Sequence, residues 1–256
     1  TEQFQIAHNQ SYVNRISDMS WNPDGSKIVL VMNSGGADQL VLSSVEILNT
    51  ISGEFEQTLA DISSINNNYL RAVDWSDTNT IAYGNDSSVV FWDATTNTEF
   101  ASINASNFIV NVAWDPDSDR IATLSADRRI QVWDIGTSGV TPRQTFSVVS
   151  SDPLISRGMI WIDEHLLAIN IWTNVEIWDA DDGLLSETIE TDHFIFGLEL
   201  LDDNLAVAGP DSVVEYSVGD STRSPLILAD SIFRAVQTIG DARVTTERNM
   251  AANIDS

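Results

Sequence analysis

The sequence contains no cysteine. Disulfides and thiolate metal centres are thereby excluded. The compartment is not, because cysteine-free proteins occur in reducing and oxidising surroundings alike. Basic charge is scarce: 12 lysines and arginines, with Lys27 the only lysine, face 38 acidic residues, for a formal net charge of -26 and an isoelectric point near 4.1. That balance excludes a broad basic face of the kind that holds nucleic acid. It suits a high-salt setting or simple solubility. Histidine is almost missing, and His8, His165 and His193 have no spacing that suggests a catalytic triad or a metal site. There is no glycine-rich phosphate loop, and no apolar run reaches the ~18 residues of a membrane span. Thr1-Glu2-Gln3-Phe4 lacks the basic-then-apolar order of a secretory signal. The expectation is a chain with no catalytic residue, no metal, no cofactor, no nucleic-acid partner and no membrane segment. Location stays open between the cytoplasm and secretion after removal of a signal that these residues do not show.

What the sequence does have is repetition. Trp92-Asp93, Trp133-Asp134 and Trp178-Asp179 recur at intervals of 41 and 45 residues (92 to 133 to 178). Leu48-Asn49, Tyr216-Ser217 and Ile254-Asp255 continue the series in weaker form. A short apolar run also recurs, at 16–21, 70–75, 109–114, 156–161, 195–200 and 233–238. Each copy leads to a turn holding an aspartate: Asp24, Asp77, Asp117, Asp163, Asp202 or Asp241. Each turn is followed by a second short β-branched or apolar run, as in Arg120–Ser125. Runs of this length bounded by turn residues predict strands. Six copies predict an all-β chain, and an interval of about 40–45 residues matches a four-stranded repeat.

The stretch Ser125-Ala126-Asp127-Arg128-Arg129-Ile130-Gln131-Val132-Trp133-Asp134 resembles the signature of the WD40-repeat β-propeller family. The resemblance implies one closed propeller over residues 1–256, with about six four-stranded antiparallel blades near 11–60, 69–105, 107–148, 154–191, 193–229, and 231–256 joined by 1–9. The N-terminal strand would complete the C-terminal blade and so remove exposed sheet edges. The resemblance also implies a hydrogen-bonded tie between second and third strands. Ser125, Asp127 and Trp133 match it in blade 3, Asp86 and Trp92 in part in blade 2, and the family's histidine has no counterpart. Trp178 holds the same strand position in blade 4. Trp21, Trp75, Trp114 and Trp161 share one first-strand position and are expected as core between blades. Trp172 stands where a turn aspartate is expected and is a candidate exposed contact. The b–c connection of blade 1, with Asn33-Ser34-Gly35-Gly36-Ala37-Asp38-Gln39, predicts a longer hairpin.

In the family, such a ring docks a protein or peptide across the channel mouth, and a monomeric scaffold without catalysis is the implied role. One aligned first-strand position holds Ser17, Arg71, Val110, Arg157, Phe196 and Arg234. Arg71, Arg157 and Arg234 are expected either to read an anionic ligand or to pair with nearby loop aspartates. Phe196 and Val110 would add apolar contact. The alternative is a small-ligand or Ca²⁺-dependent hydrolytic propeller, which needs ~6–8 oxygen ligands on the channel axis. The position read as channel-facing supplies only Asp18 and Asn111, with Ala72, Gly158, Gly197 and Ala235 beside them.

Overall fold

In the computed structural model, the structure describes residues 13–35, 41–64, 70–105, 107–136, 139–149, 158–191, 193–201, 204–210, 213–218 and 226–227. They form five four-stranded antiparallel sheets, each a meander in chain order. Blade 1 comprises β1 (Val13–Trp21), β2 (Lys27–Gly35), β3 (Val41–Asn49) and β4 (Phe55–Ser64). Blade 2 comprises β5 (Val73–Trp75), β6 (Thr80–Asn85), β7 (Ser88–Asp93) and β8 (Thr98–Asn104). Blade 3 comprises β9 (Ile109–Trp114), β10 (Arg120–Ser125), β11 (Arg129–Gly136) and β12 (Gly139–Ser147). Blade 4 comprises β13 (Met159–Trp161), β14 (Leu166–Ile171), β15 (Asn174–Asp179) and β16 (Leu184–Glu190). Blade 5 comprises β17 (Gly197–Leu201), β18 (Asn204–Ala208), β19 (Val213–Ser217) and β20 (Leu226–Ile227). The sixth blade and the N-terminal closing strand expected from sequence lie outside the described residues. Among the described residues, no helix is long and apolar enough to cross a membrane.

The first strands touch in succession, β1 to β5, β5 to β9, β9 to β13 and β13 to β17, and so line the inside of the array. The core lies between blades rather than at one centre. Val31 and Val45 of blade 1 meet Val73, Trp75 and Ile81. Ala82 and Phe91 meet Ile109, Val112 and Trp114. Leu124 and Val132 meet Met159, Trp161 and Ile169. Ile177 and Ile189 meet Leu198 and Val207. The alternation of strand side chains lets a blade show apolar groups to both neighbours at once.

The repeat register is the one the sequence predicts. Leu48, Trp92, Trp133, Trp178 and Tyr216 each pair with the second-strand residue that also faces the end of the first strand: Ile28, Ile81, Ile121, Leu167 and Leu205. Blade 1 is longer, as its b–c connection predicts: β2 and β3 stay paired out to Gly35 and Val41.

Two expectations need correction. Trp75, Trp114 and Trp161 are buried, each against the preceding blade, but Trp21 is 52% exposed. The neighbour against which Trp21 would pack falls outside the described residues. The tie in blade 3 is also wired differently. Ser125 Oγ donates to Asp127 Oδ1 (2.5 Å), whereas Trp133 Nε1 donates to Thr123 Oγ1 (3.2 Å), two residues earlier on the same strand. The other blades place Leu30, Tyr83, Ile169 and Val207 opposite that site, so the bond is not repeated. Trp92 Nε1 is buried without a partner, and Trp178 Nε1 donates instead to Glu176 Oε2 (3.1 Å).

Candidate functional site

Each blade has two rims. The a–b and c–d turns lie on one face, and the b–c and d–a connections lie on the other, the mouth face. The described a–b and c–d turns hold Asp24, Glu54, Asp77, Asp115, Asp117, Asp119, Asp163, Glu164, Asp181 and Asp182. The described mouth-face connections hold only Asp86 and Asp127. Among the described residues, turn carboxylates are therefore concentrated on one face.

The basic residues divide the same way. On the acidic face each described one is consumed locally. Lys27 meets Glu56 at 2.7 Å. Arg120 meets buried Asp115 at 3.0 Å and Asp181 at 3.2 Å, lies over the Trp161 ring at 5.0 Å, and donates to Glu164 O. Arg143 reaches Asp181 at 2.8 Å, and His165 Nδ1 lies 2.6 Å from the other oxygen of that carboxylate. The bond from His165, with Arg143 beside it, holds the Asp181 carboxyl below its ordinary range, while Asp181 raises the His165 imidazole.

On the mouth face, Arg71 is exposed and makes no ion pair among the described residues; Arg15, at the same end of β1, does likewise. Arg129 has one long contact there, 3.5 Å to Asp127. Among the described residues, no aspartate pairs with Arg71. Arg157 and Arg234 lie outside the described residues. Three other expected contact residues are partly committed to the fold. Ser17 Oγ accepts from Asn33 Nδ2 (2.5 Å), and Asn33 in turn bonds Leu70 O and Ser43. Val110 packs against the core between blades 3 and 4. Phe196 is half-buried, with its N–H donated to Ala208 O.

The channel is more acidic than its single aligned position predicts. Asp18 and Asn111 line a cavity of about 760 Å³ as expected, and Asp74 and Glu199 join them. Those two lie at the strand position two residues further along, which a strand turns to the same side. The carboxylates of Asp18 and Asp74 are spent on the backbone of the next blade. Asp18 Oδ2 accepts from Val73 N (2.9 Å), and Asp74 Oδ2 accepts from Trp114 N (2.8 Å), while Asp74 Oδ1 takes Ser20 Oγ (2.9 Å). Burial pushes Asp18 up to about 7 against the pull of the Val73 and Met19 N–H groups, and it raises Asp74 and Glu199 as well. Among the described residues, no three carboxylate or imidazole groups are placed to hold a metal ion.

A left-handed residue shapes each tight mouth-face turn: Asp86 (φ 56°), Arg128 (φ 71°) and Trp172 (φ 59°). Asp86 O and Trp172 O both accept a bond from the next blade, from Ile109 N and Ile195 N. Trp172 thus does the work of a turn aspartate. It is half-buried rather than fully exposed, because Phe194 meets its ring edge-on at 4.4 Å.

The family model described as WD domain, G-beta repeat, matches residues 98–134. Those residues run from β8 through β11, so the matched unit begins in one blade and ends in the next. A chain in a crystal structure of a mitotic checkpoint complex superposes with a TM-score of 0.64 at 16% identity, over 87% of this chain and 65% of that one. The chain carries a WD40 repeat and has the four-stranded blade architecture of a β-propeller. Curated WD40 relatives include WD repeat-containing protein slp1 of Schizosaccharomyces pombe, 23% identical over 188 residues, covering 70% of this chain and 36% of that protein. WD repeat-containing protein 1 of Gallus gallus is 27% identical over 74 residues, 29% of this chain and 12% of that protein. This WD40 chain therefore spans well under half the length of either curated relative.

Proposed function

We propose that this WD40 propeller is a non-catalytic scaffold that docks a protein or peptide on its mouth face, with anionic groups of the ligand read by Arg71, Arg157 and Arg234. The observation that carries the reading is the division of basic charge. Among the described residues, cations on the acidic face are paired with the protein's own carboxylates, whereas Arg71 is exposed and has no ion pair. A guanidinium held on a rigid ring keeps its fork free for a carboxylate or phosphate. The test is binding of a fluorescent peptide of alternating Asp and Gly to the wild type and to the Arg71→Ala/Arg157→Ala/Arg234→Ala variant. About a tenfold loss in the variant, and weaker wild-type binding as salt rises, is the expected result; equal binding by both proteins would sink the reading.

The ring that carries this face is read as six-bladed and closed, with residues 1–9 supplying the outer strand of the blade begun at 231. Supporting this, 233–238 repeats the pattern of the five inner strands, and the edge strand of an open array invites unwanted pairing. Deleting residues 1–9 should lower the melting temperature by roughly 10 °C, as losing several kcal/mol of edge pairing would in a domain of this size. An unchanged melting curve would mean that these residues close nothing.

A further inference from the structure

Three large apolar side chains are exposed on consecutive d–a connections of the mouth face: Phe108 (41%), Val149 (66%) and Phe194 (45%). Sequence reading assigned none of them. Exposed apolar residues scattered singly are ordinary, so their backbones matter more than their exposure. Each is pinned to a neighbouring turn or strand. Phe108 O accepts from Ala126 N (2.7 Å), and the adjacent Ile109 N donates to Asp86 O (2.9 Å). Val149 N donates to Glu176 Oε2 (3.1 Å), a carboxylate that is 2% exposed and also holds Trp178 Nε1. Phe194 lies between Ile195 N, bonded to Trp172 O (3.1 Å), and His193 O, which accepts from Thr191 Oγ1 (2.7 Å). These side chains are held out from a stiff frame, which lowers the ordering cost of binding. Phe108 and Phe194 moreover occupy equivalent places, one residue before their blades' first repeat position.

We propose that Phe108, Val149 and Phe194, with Arg129 among them, form a docking arc for a partner-protein segment that carries carboxylates beside bulky apolar side chains. The inference rests on the reading of the mouth face as the docking face and supplies the chemistry of its occupant. The turn bearing Arg129 links the two seams: Ala126 N bonds Phe108 O, and Arg128 O accepts from Val148 N (3.0 Å). The exposed 3.5 Å contact of Arg129 with Asp127 is weak enough to be exchanged for a closer carboxylate. A second copy of this chain is disfavoured as occupant, since two bodies at -26 repel.

The probe is a fluorescein-labelled hexapeptide with Phe, Asp, Glu and Leu in a row between glycines, beside a version in which Ser replaces Phe and Leu. Wild type should bind the first peptide about tenfold more tightly than the second, as expected when aromatic anchors carry the energy. Phe108→Ser/Phe194→Ser should erase that difference while leaving the melting temperature within a few degrees of wild type. Arg129→Ala should weaken both peptides and flatten their salt dependence. Equal affinity of wild type for the two peptides, or full binding by the double Phe variant, overturns the arc. If such binding still falls in the Arg71→Ala/Arg157→Ala/Arg234→Ala variant, the docking reading survives without it. No binding of either peptide at millimolar concentration also overturns the arc, and the alternating Asp-Gly peptide then decides the docking reading separately.

Discussion

At pH 8 the Asp18→Asn variant should be more stable than the wild type, and the advantage should disappear by pH 4. Asp18 sits in the channel with its carboxyl raised from the ordinary 3.8 to about 7, chiefly by desolvation. Between those values the folded protein holds a proton that the unfolded chain has released. Stability from this group is therefore fully present below pH 4 and is lost as pH rises through 7. A separation of about three pH units is worth about 4 kcal/mol as a ceiling. Asparagine stays neutral throughout but keeps only one of the two oxygens that serve Val73 N and Met19 N, a loss of about 1 kcal/mol. A net gain of about 2–3 kcal/mol at pH 8 follows. Asp74 and Glu199 are raised by the same desolvation, so the wild type should also be less stable at pH 8 than at pH 5. His165, raised by Asp181, adds stability that is likewise lost as pH rises. Asp24, Asp93 and Asp181 are held low, and they add stability lost only as pH falls below the ordinary carboxylate range. Together these shifts place maximum stability on the acid side of neutrality. Urea midpoints of both proteins at pH 4, 5 and 8 check this, and a variant weaker than wild type at pH 8 would refute the account of Asp18.

Trp161→Ala should be the most damaging single truncation at a blade seam. Trp161 is 2% exposed, donates its Nε1–H to Ala113 O (3.0 Å) across the seam, and carries the Arg120 guanidinium on its ring. Removing a buried indole costs about 3–5 kcal/mol, and the change also strands a buried carbonyl and uncovers the Arg120–Asp115 pair. A fall in Tm of about 10–15 °C is expected for a domain of this size. Trp172→Ala is the comparison. Trp172 is half-buried and meets chiefly Phe194, so about 1 kcal/mol is at stake. Thermal melts of the two variants should differ several-fold in their shifts; equal shifts would mean that the seams are not where the stability lies.

Much of this architecture is readable from one column of the sequence. The tryptophans at 92, 133 and 178 mark the third strand because each faces the same second-strand position, and that fixes the register of everything between them. Side-chain wiring is less readable. Thr123 holds Trp133 because strand residues two apart share a face, and attention to Ser125 passed over it. Asp74 and Glu199 escaped notice for the same reason, since a single aligned position samples only one of the two that face the channel. The mouth-face arc was hidden differently. Phe108 and Phe194 precede the recognised strand pattern, and the signal that marks them is the bonding of their connections to neighbouring turns, which sequence does not carry.

The division of the core into separate seams bears on how the molecule fails. With the apolar clusters set between adjacent blades, each blade is stabilised mainly by its two neighbours, so its energetics are those of a nearest-neighbour chain. Damage at one seam bares two facing apolar surfaces and leaves more distant seams intact. Unfolding would then travel around the array from blade to blade, and the weakest seam, not the average one, would set the temperature at which it begins.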